Sequence, residues 1–414
     1  MFDTTVARPS RRTILAGGLA LGTTLLATAC GGSAGQAADN TTLTLWDYYQ
    51  EPEPTYLKRL SDFTASSGVK IERTFVKYDD FLGKILQGAA AGKLPDVILI
   101  DNPWNSAMAD QGVLADLSDN VEKWGKWDQF YPGPRASATW KGKIYGVPNE
   151  SNCLIMYYNV DMLRAAGVAP PTTWEELEAA AGALTKGGVK GFSTAMSKSE
   201  NAVFVFESLL WQSGADLDTL DSPEGLRALT YLVGLVQKGY LSKECLSWDL
   251  RDGLTQLANG RSAICFQGTW DAAWLKKNMK AKWDVALLPA GPAANASNLG
   301  GENWSVTASS TNADSAWKLI EFVNQPSQLV PDLVAQGQLP SRKDVASDAA
   351  FGKHPLSMFI KQESVAKARV YGANYPQMAD ALMQAYQGAI SGQATPQAAL
   401  AAAAAKIKPL LSKG

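Results

Sequence analysis

From Thr42 onward the sequence alternates short β-rich runs with amphipathic helical stretches, and this alternation limits the possible folds more than any other feature. Thr42 to Trp46 reads as a strand, Pro54 to Ala65 as a helix, Val69 to Phe75 as a strand, Tyr78 to Ala91 as a helix, and Val97 to Ile100 as a buried strand. Strands separated by helices build parallel βαβ units with right-handed crossovers, so the expected class is α/β. In such sheets ligands sit beyond the carboxyl ends of the strands. Those ends carry Trp46-Asp47-Tyr48-Tyr49-Gln50 and Asp101-Asn102-Pro103-Trp104.

A hairpin-like stretch from Lys141 to Pro148 precedes a second alternating set. Its strands are expected at Leu154 to Tyr158, Val189 to Thr194, Ser262 to Phe266 and Trp283 to Leu288. Its helices are expected at Trp174 to Leu184, Ala202 to Gln212, Ser222 to Lys238, Leu250 to Asn259 and Asp271 to Met279. A strand from Trp304, a helix from Asn312 to Asn324, and helices from Pro376 to Ile390 and Pro396 to Leu411 complete the chain. No segment repeats at a fixed period, which excludes a solenoid.

The first thirty residues address the chain to the exterior. Arg8, Arg11 and Arg12 precede an apolar run from Ile14 to Ala29 that ends in small residues before Cys30, the layout of a cleavable export signal. The run is shorter than the ~20 residues of a spanning helix and has no basic stop-transfer flank. Ser10-Arg11-Arg12-Thr13-Ile14-Leu15 resembles a twin-arginine signal, and Leu26-Ala27-Thr28-Ala29-Cys30 resembles a lipoprotein processing site, with Ala27 where such sites usually carry leucine. The resemblance implies lipidation of Cys30 and anchoring to the outer face of the cell membrane. A plain secretory signal with an incidental cysteine is the alternative. Residues 31–40 have the composition of a flexible linker.

Composition removes several chemistries. The ~385 residues after Cys30 exceed one core and suggest two domains. A net charge of −2 without Lys/Arg blocks argues against nucleic acid as a partner. The single histidine, His354, reads as a surface residue at a helix start, and no Cys-x-x-Cys or His-x-x-x-His spacing occurs. A structural zinc site, a His-dependent triad and any other metal or cofactor are therefore not expected. Cys245 and Cys265 fall in the same half of the chain, and an oxidising exterior permits a bridge between them, with Cys153 left as a buried thiol.

A set of landmarks then resembles the extracellular solute-binding proteins of carbohydrate ABC transporters, the class that includes maltose-binding proteins. They include Gly92-Lys93-Leu94-Pro95-Asp96-Val97, Gln111-Gly112-Val113-Leu114-Ala115-Asp116-Leu117, Gly142-Lys143-Ile144-Tyr145-Gly146-Val147-Pro148 and Tyr157-Tyr158-Asn159. Further on come Pro171-Thr172-Thr173-Trp174-Glu175-Glu176-Leu177, Asn259-Gly260-Arg261-Ser262-Ala263-Ile264, Gln267-Gly268-Thr269-Trp270, Gly300-Gly301 before Trp304, Ala316 to Phe322, and Leu339-Pro340-Ser341-Arg342. The resemblance implies a type II periplasmic-binding-protein fold: two lobes, an interlobe ligand cleft, and three crossovers near Asn149 to Leu154, Gly300 to Ser305 and Gly337 to Arg342. It divides the chain into residues 42–150 with 304–340, and 151–303 with 341–414. It also implies a monomer that captures a sugar outside the cell and passes it to ABC permease subunits, without being an enzyme.

Sugar rings present apolar faces and a rim of hydroxyls, so a site needs flat aromatics together with carboxylate, amide or guanidinium groups. With thirteen Trp in the chain most must be core, and Trp174 and Trp317 are read so. Trp270, after a strand that should end at the cleft, is the expected stacking platform. Trp104, Trp211, Tyr48, Tyr49 and Gln50 are further candidates. The expected polar rim is Asp101, Asn102, Glu150, Asn152, Glu302 and Asn303, with Arg369 and Tyr371 before the helix from Pro376. Two carboxylates on one cleft also fit a glycosidase, and a structural surface lipoprotein is a third reading. Ligand-dependent closure without turnover separates the receptor from both.

Overall fold

The computed structural model describes residues 42–51 and 53–411. Cys30, the export segment and the linker lie outside the described residues. Among the described residues, no helix is long and apolar enough to cross a membrane.

Two sheets organise the molecule. The first has the order Lys70–Phe75, Thr42–Asp47, Val97–Asp101, Glu302–Val306 and Val147–Pro148. Its first three strands are parallel, as the alternation with helices predicts, and Glu302–Val306 returns antiparallel to Val97–Asp101. Every residue of Val97–Asp101 is buried, because helices cover both faces. Val97 and Leu99 join Leu43, Leu45, Tyr56 and Trp304 on one face, whereas Ile98 and Ile100 meet Phe81, Ile85 and Trp104 on the other. This two-per-turn alternation fixes the register, since each fully buried side chain contributes about 1.5–3 kcal/mol and a one-residue slip would reverse them all.

In the second sheet the order is Ala366–Ala368, Ser297–Gly300, Asn152–Asn159, Ser262–Gly268 and Lys190–Ser193, with Trp283–Ala286 also paired to Asn152–Asn159. Helices Trp174–Leu184, Glu200–Ser213, Pro223–Gln237 and Tyr375–Ser391 cover one face around Phe192, Phe206, Leu209 and Tyr386. Cys153, Ile155, Tyr157, Leu254 and Phe359 fill the other. Helix Pro326–Gln336 touches both Pro54–Ser67 and Ala272–Asn278, and its Leu329 and Leu333 lie in this last core.

The structure departs from the sequence reading in three places. Glu302 and Asn303 open a strand of the first sheet, so the chain crosses at Gly300 and Gly301, before the boundary drawn at residue 304. Helices Asn102–Asp110, Ser118–Trp124, Pro132–Ser137, Val160–Ala166, Pro326–Gln336, Lys343–Ala346 and Leu356–Glu363 are not among those expected; all but Pro326–Gln336 are nine residues or fewer, too short for a clear 3.6-residue period. The Cys245–Cys265 bridge is absent: Cys153, Cys245 and Cys265 are free and buried. Cys245 sits in the core shared by Ile264 and Phe266, whereas Cys265, the residue between those two on the strand, faces the opposite side beside Tyr157. A sheet therefore stands between the two sulfurs, and burial pushes each thiol up to about 12.

Candidate functional site

Three segments connect the sheets and are hydrogen-bonded to one another. Asn149 N–H donates to the Glu302 carbonyl (2.8 Å), and Ser151 and Leu339 exchange two backbone bonds of 2.8 Å. The contact is close enough to exclude a side chain at Gly301, whose φ is +135° and where a Cβ would lie 2.2 Å from the Glu150 carbonyl oxygen.

A cleft of about 730 Å³ opens beside these crossings and is lined from both lobes, within the ~300–1,000 Å³ usual for small-ligand sites. Among the candidates, Tyr48, Tyr49, Gln50, Asp101, Asn152, Trp270, Glu302 and Arg369 line it. Each stands at a strand end facing the gap: Tyr48 and Tyr49 after Thr42–Asp47, Asp101 closing Val97–Asp101, Glu302 directly opposite Asp101, and Arg369 after Ala366–Ala368.

The remaining candidates stand behind this surface. Asn102 begins helix Asn102–Asp110, and Trp104 stacks on Tyr78 (5.2 Å, 28°), which itself lines the cleft. Glu150 accepts the Tyr49 hydroxyl (3.0 Å) and a bond from the Asn149 amide. Asn303 reaches Ser137 (3.3 Å), Trp211 is buried with Lys367 over its ring, and Tyr371 donates to Asp216 (2.5 Å). Asn102, whose N–H donates to the Gly301 carbonyl, Trp104 and Glu150 thus back lining residues, whereas Ser137, Lys367 and Asp216, the partners of Asn303, Trp211 and Tyr371, do not line the cleft.

On the first wall three phenols are held by carboxylates. Tyr48 donates to Glu302 (2.6 Å), Tyr49 to Glu150 and Tyr78 to Asp101 (2.6 Å). The rings meet edge to face, Tyr48 against Tyr78 at 4.9 Å and against Tyr49 at 5.7 Å. Asp47, pairing with Arg73 and accepting the Tyr56 hydroxyl, fixes the start of the loop that displays Tyr48 and Tyr49. Burial and nearby carboxylates raise all three phenols, which keeps them donors at neutral pH.

The second wall holds Trp270, Trp274 and Phe204. The indole of Trp270 lies flat on Gly268, where a Cβ would be 2.2 Å from the ring. Trp274 lies beneath Arg251 (4.7 Å), which pairs with Asp271, and Phe204 lies beneath Arg369 (4.8 Å).

Arg369 joins the walls electrostatically, bonded to Glu200 and 3.8 Å from Asp101. Burial raises Asp101 and Glu200 against the opposing pull of Arg369. Burial, then the neighbouring Asp101, pushes Glu302 up to about 8. Several buried polar atoms along the cleft lack any partner: Glu302 Oε2, Arg369 Nε, Arg251 Nε and Gln338 Oε1. Buried groups without partners cost about 1–3 kcal/mol each, so a polar group that reached these four atoms on the cleft-lining residues would recover part of that cost.

Sequence reasoning missed Tyr78, Glu200, Phe204, Arg251, Asp271 and Trp274. Trp274 had a signal, four residues beyond Trp270 and so one helical turn away. Glu200 and Phe204 occupy the first turns of helix Glu200–Ser213, whose start was placed two residues late.

Two α/β lobes, three bonded crossovers and a polar, aromatic-walled cleft define a ligand-binding protein of the two-lobe periplasmic type. The chain belongs to the bacterial extracellular solute-binding proteins, whose family model matches residues 58–359. It is similar to an ABC transporter solute-binding protein of Thermotoga lettingae TMO bound with α-D-tagatose, with a TM-score of 0.84 and 27% identity over 90% of this chain and 100% of that one. Maltose-bound MalE3 of T. maritima superposes with a TM-score of 0.82 and 25% identity, covering 89% of this chain and 99% of that one. A maltooligosaccharide ABC transporter solute-binding lipoprotein of Streptococcus pneumoniae serotype 4 is 25% identical over 78% of this chain and 79% of its own length.

Proposed function

We propose that this protein is the receptor of a bacterial ABC importer, capturing a sugar outside the cell and releasing it unchanged to the permease subunits. The observation that carries this reading is the cleft itself, lined by aromatic rings from both lobes and by residues with unpartnered buried polar atoms. Rings remove the apolar faces of a sugar from water, and the polar atoms pair with its hydroxyls. The crossings act as the hinge, a few residues absorbing the change as the lobes close. Anchoring through a lipid on Cys30, after export, keeps a monomeric receptor near its permease; the lipoprotein relative from S. pneumoniae supports this part.

A thermal-shift screen over a panel of mono- and oligosaccharides tests the reading. A ligand at a hundred times its Kd should add about 2.7 kcal/mol of stability. Mass analysis of the sugar recovered afterwards should return it intact. A panel in which nothing shifts the transition removes the sugar assignment, and product sugars would identify a hydrolase instead.

A further inference from the structure

Charge in the cleft is unevenly matched. Each lining cation already has a carboxylate: Arg369 on Glu200, Arg251 on Asp271, and Lys277 on Glu53 at 2.7 Å. Four lining carboxylates remain, Glu51, Asp101, Asp249 and Glu302. Asp249 caps helix Leu250–Ala258, Glu51 is exposed, and Asp101 shares Arg369. Glu302 alone is buried, at 6% exposure, without an ion-pair partner, and its Oε2 has no hydrogen-bond partner. It stands directly opposite Asp101 in the strand register, so both carboxylates rise from the same end of the sheet into the cleft.

A sugar hydroxyl could fill the empty acceptor but brings no positive charge, so it leaves the carboxyl to hold its own proton. An ammonium group does both, and charge-assisted bonds are about twice as strong as neutral ones. A metal ion is disfavoured, since no group of three His, Cys, Asp or Glu suited to one occurs among the described residues. We infer that the cleft prefers saccharides bearing a protonated amine, seated between Glu302 and Asp101, and excludes acidic saccharides. The inference rests on the sugar-receptor reading and specifies its substrate class. The groups facing Glu302 are Asp101, Tyr48, Tyr49 and Arg369, and among them burial and Asp101 hold its carboxyl at about 8. The empty site thus discharges itself with a proton, which the ammonium ion displaces.

Calorimetry at pH 7 with glucosamine, galactosamine and mannosamine tests this, each beside its neutral parent hexose, its N-acetyl derivative and the corresponding uronic acid. The expected result is at least one amine binding ten-fold or more tighter than its parent, release of a proton on binding, and no detectable uronate binding. Glu302→Gln, which keeps an acceptor for the Tyr48 hydroxyl, should lower the amine to the affinity of its parent, as should Asp101→Asn if the first variant folds poorly. A neutral sugar binding as tightly as its amine, or an amine preference that survives both substitutions, overturns the inference and leaves the sugar receptor standing. Failure of every saccharide, neutral or basic, removes both.

Discussion

The two walls of the cleft hold their aromatic rings by different chemistry. On the first, Tyr48, Tyr49 and Tyr78 each donate a hydroxyl to a buried carboxylate. On the second, Phe204 and Trp274 lie under guanidinium groups and Trp270 lies on a bare glycine backbone. Glu302, held near 8 on the first wall, changes charge within the working range of pH, whereas the guanidinium groups over the second-wall rings do not. The first wall should therefore respond to pH and the second to truncation. They meet at Arg369, which extends from the second sheet yet lies beside Asp101 of the first.

Removing that link should have the largest effect. Arg369→Met leaves Glu200 and Asp101 buried without a cation, and breaking a buried pair in this way costs about 3–5 kcal/mol. Urea denaturation at pH 7 measures it. A loss below about 1 kcal/mol would mean that the walls are electrostatically independent.

The pH response sharpens the contrast. An unfolded glutamate titrates near 4.5 and Glu302 in the fold near 8, so between these values the folded state binds the extra proton. The stabilisation is complete below about pH 4.5 and is lost as pH rises through about 8; Glu207 and Glu363, also near 8, act with the same sign. At roughly 1.4 kcal/mol per pH unit per proton, each of these carboxyls should cost the ligand-free protein on the order of 2 kcal/mol between pH 6 and 8. Glu302→Gln should remove its own share of this slope, on the order of 2 kcal/mol, and Arg251→Gln on the opposite wall should not. Parallel slopes in wild type and Glu302→Gln would assign the titration elsewhere.

Smallest, and visible only in binding, is Trp270→Ala. Loss of a central aromatic anchor costs ~2 kcal/mol, about 30-fold in Kd for the best sugar. Trp270 is only partly buried, so the unfolding midpoint should move little. Unchanged affinity in a folded variant would place the ring contacts on the tyrosine wall alone.

The framework of both sheets was legible because helix and strand periods are local properties. Thr42–Asp47, Tyr78–Ala91 and Pro396–Leu411 fall within a residue or so of where their patterns place them. Strand ends gave Tyr48, Asp101 and Trp270 for the same reason, whereas Arg369 came only from the family resemblance. Depth behind the surface was not legible: Trp104 and Tyr78 are equally plausible ring donors in sequence, and only packing decides that one backs the other. The cysteine pair failed similarly, since nearness in sequence does not report on which face of a sheet a residue points. Partners such as Arg251 with Asp271, twenty residues apart, depend on helix placement that no local pattern specifies.

The three buried thiols have a practical side. With sulfurs enclosed in the cores and Cys245 and Cys265 held near 12, almost no thiolate is present at neutral pH, and thiolate is the form that reacts with maleimides. In a chain that begins after Cys30, a cysteine introduced at the cleft rim, such as Lys277→Cys, is the fast-reacting position. A dye attached there would report closure by its brightness, turning the native protein into a reagentless sensor without removing a single natural cysteine.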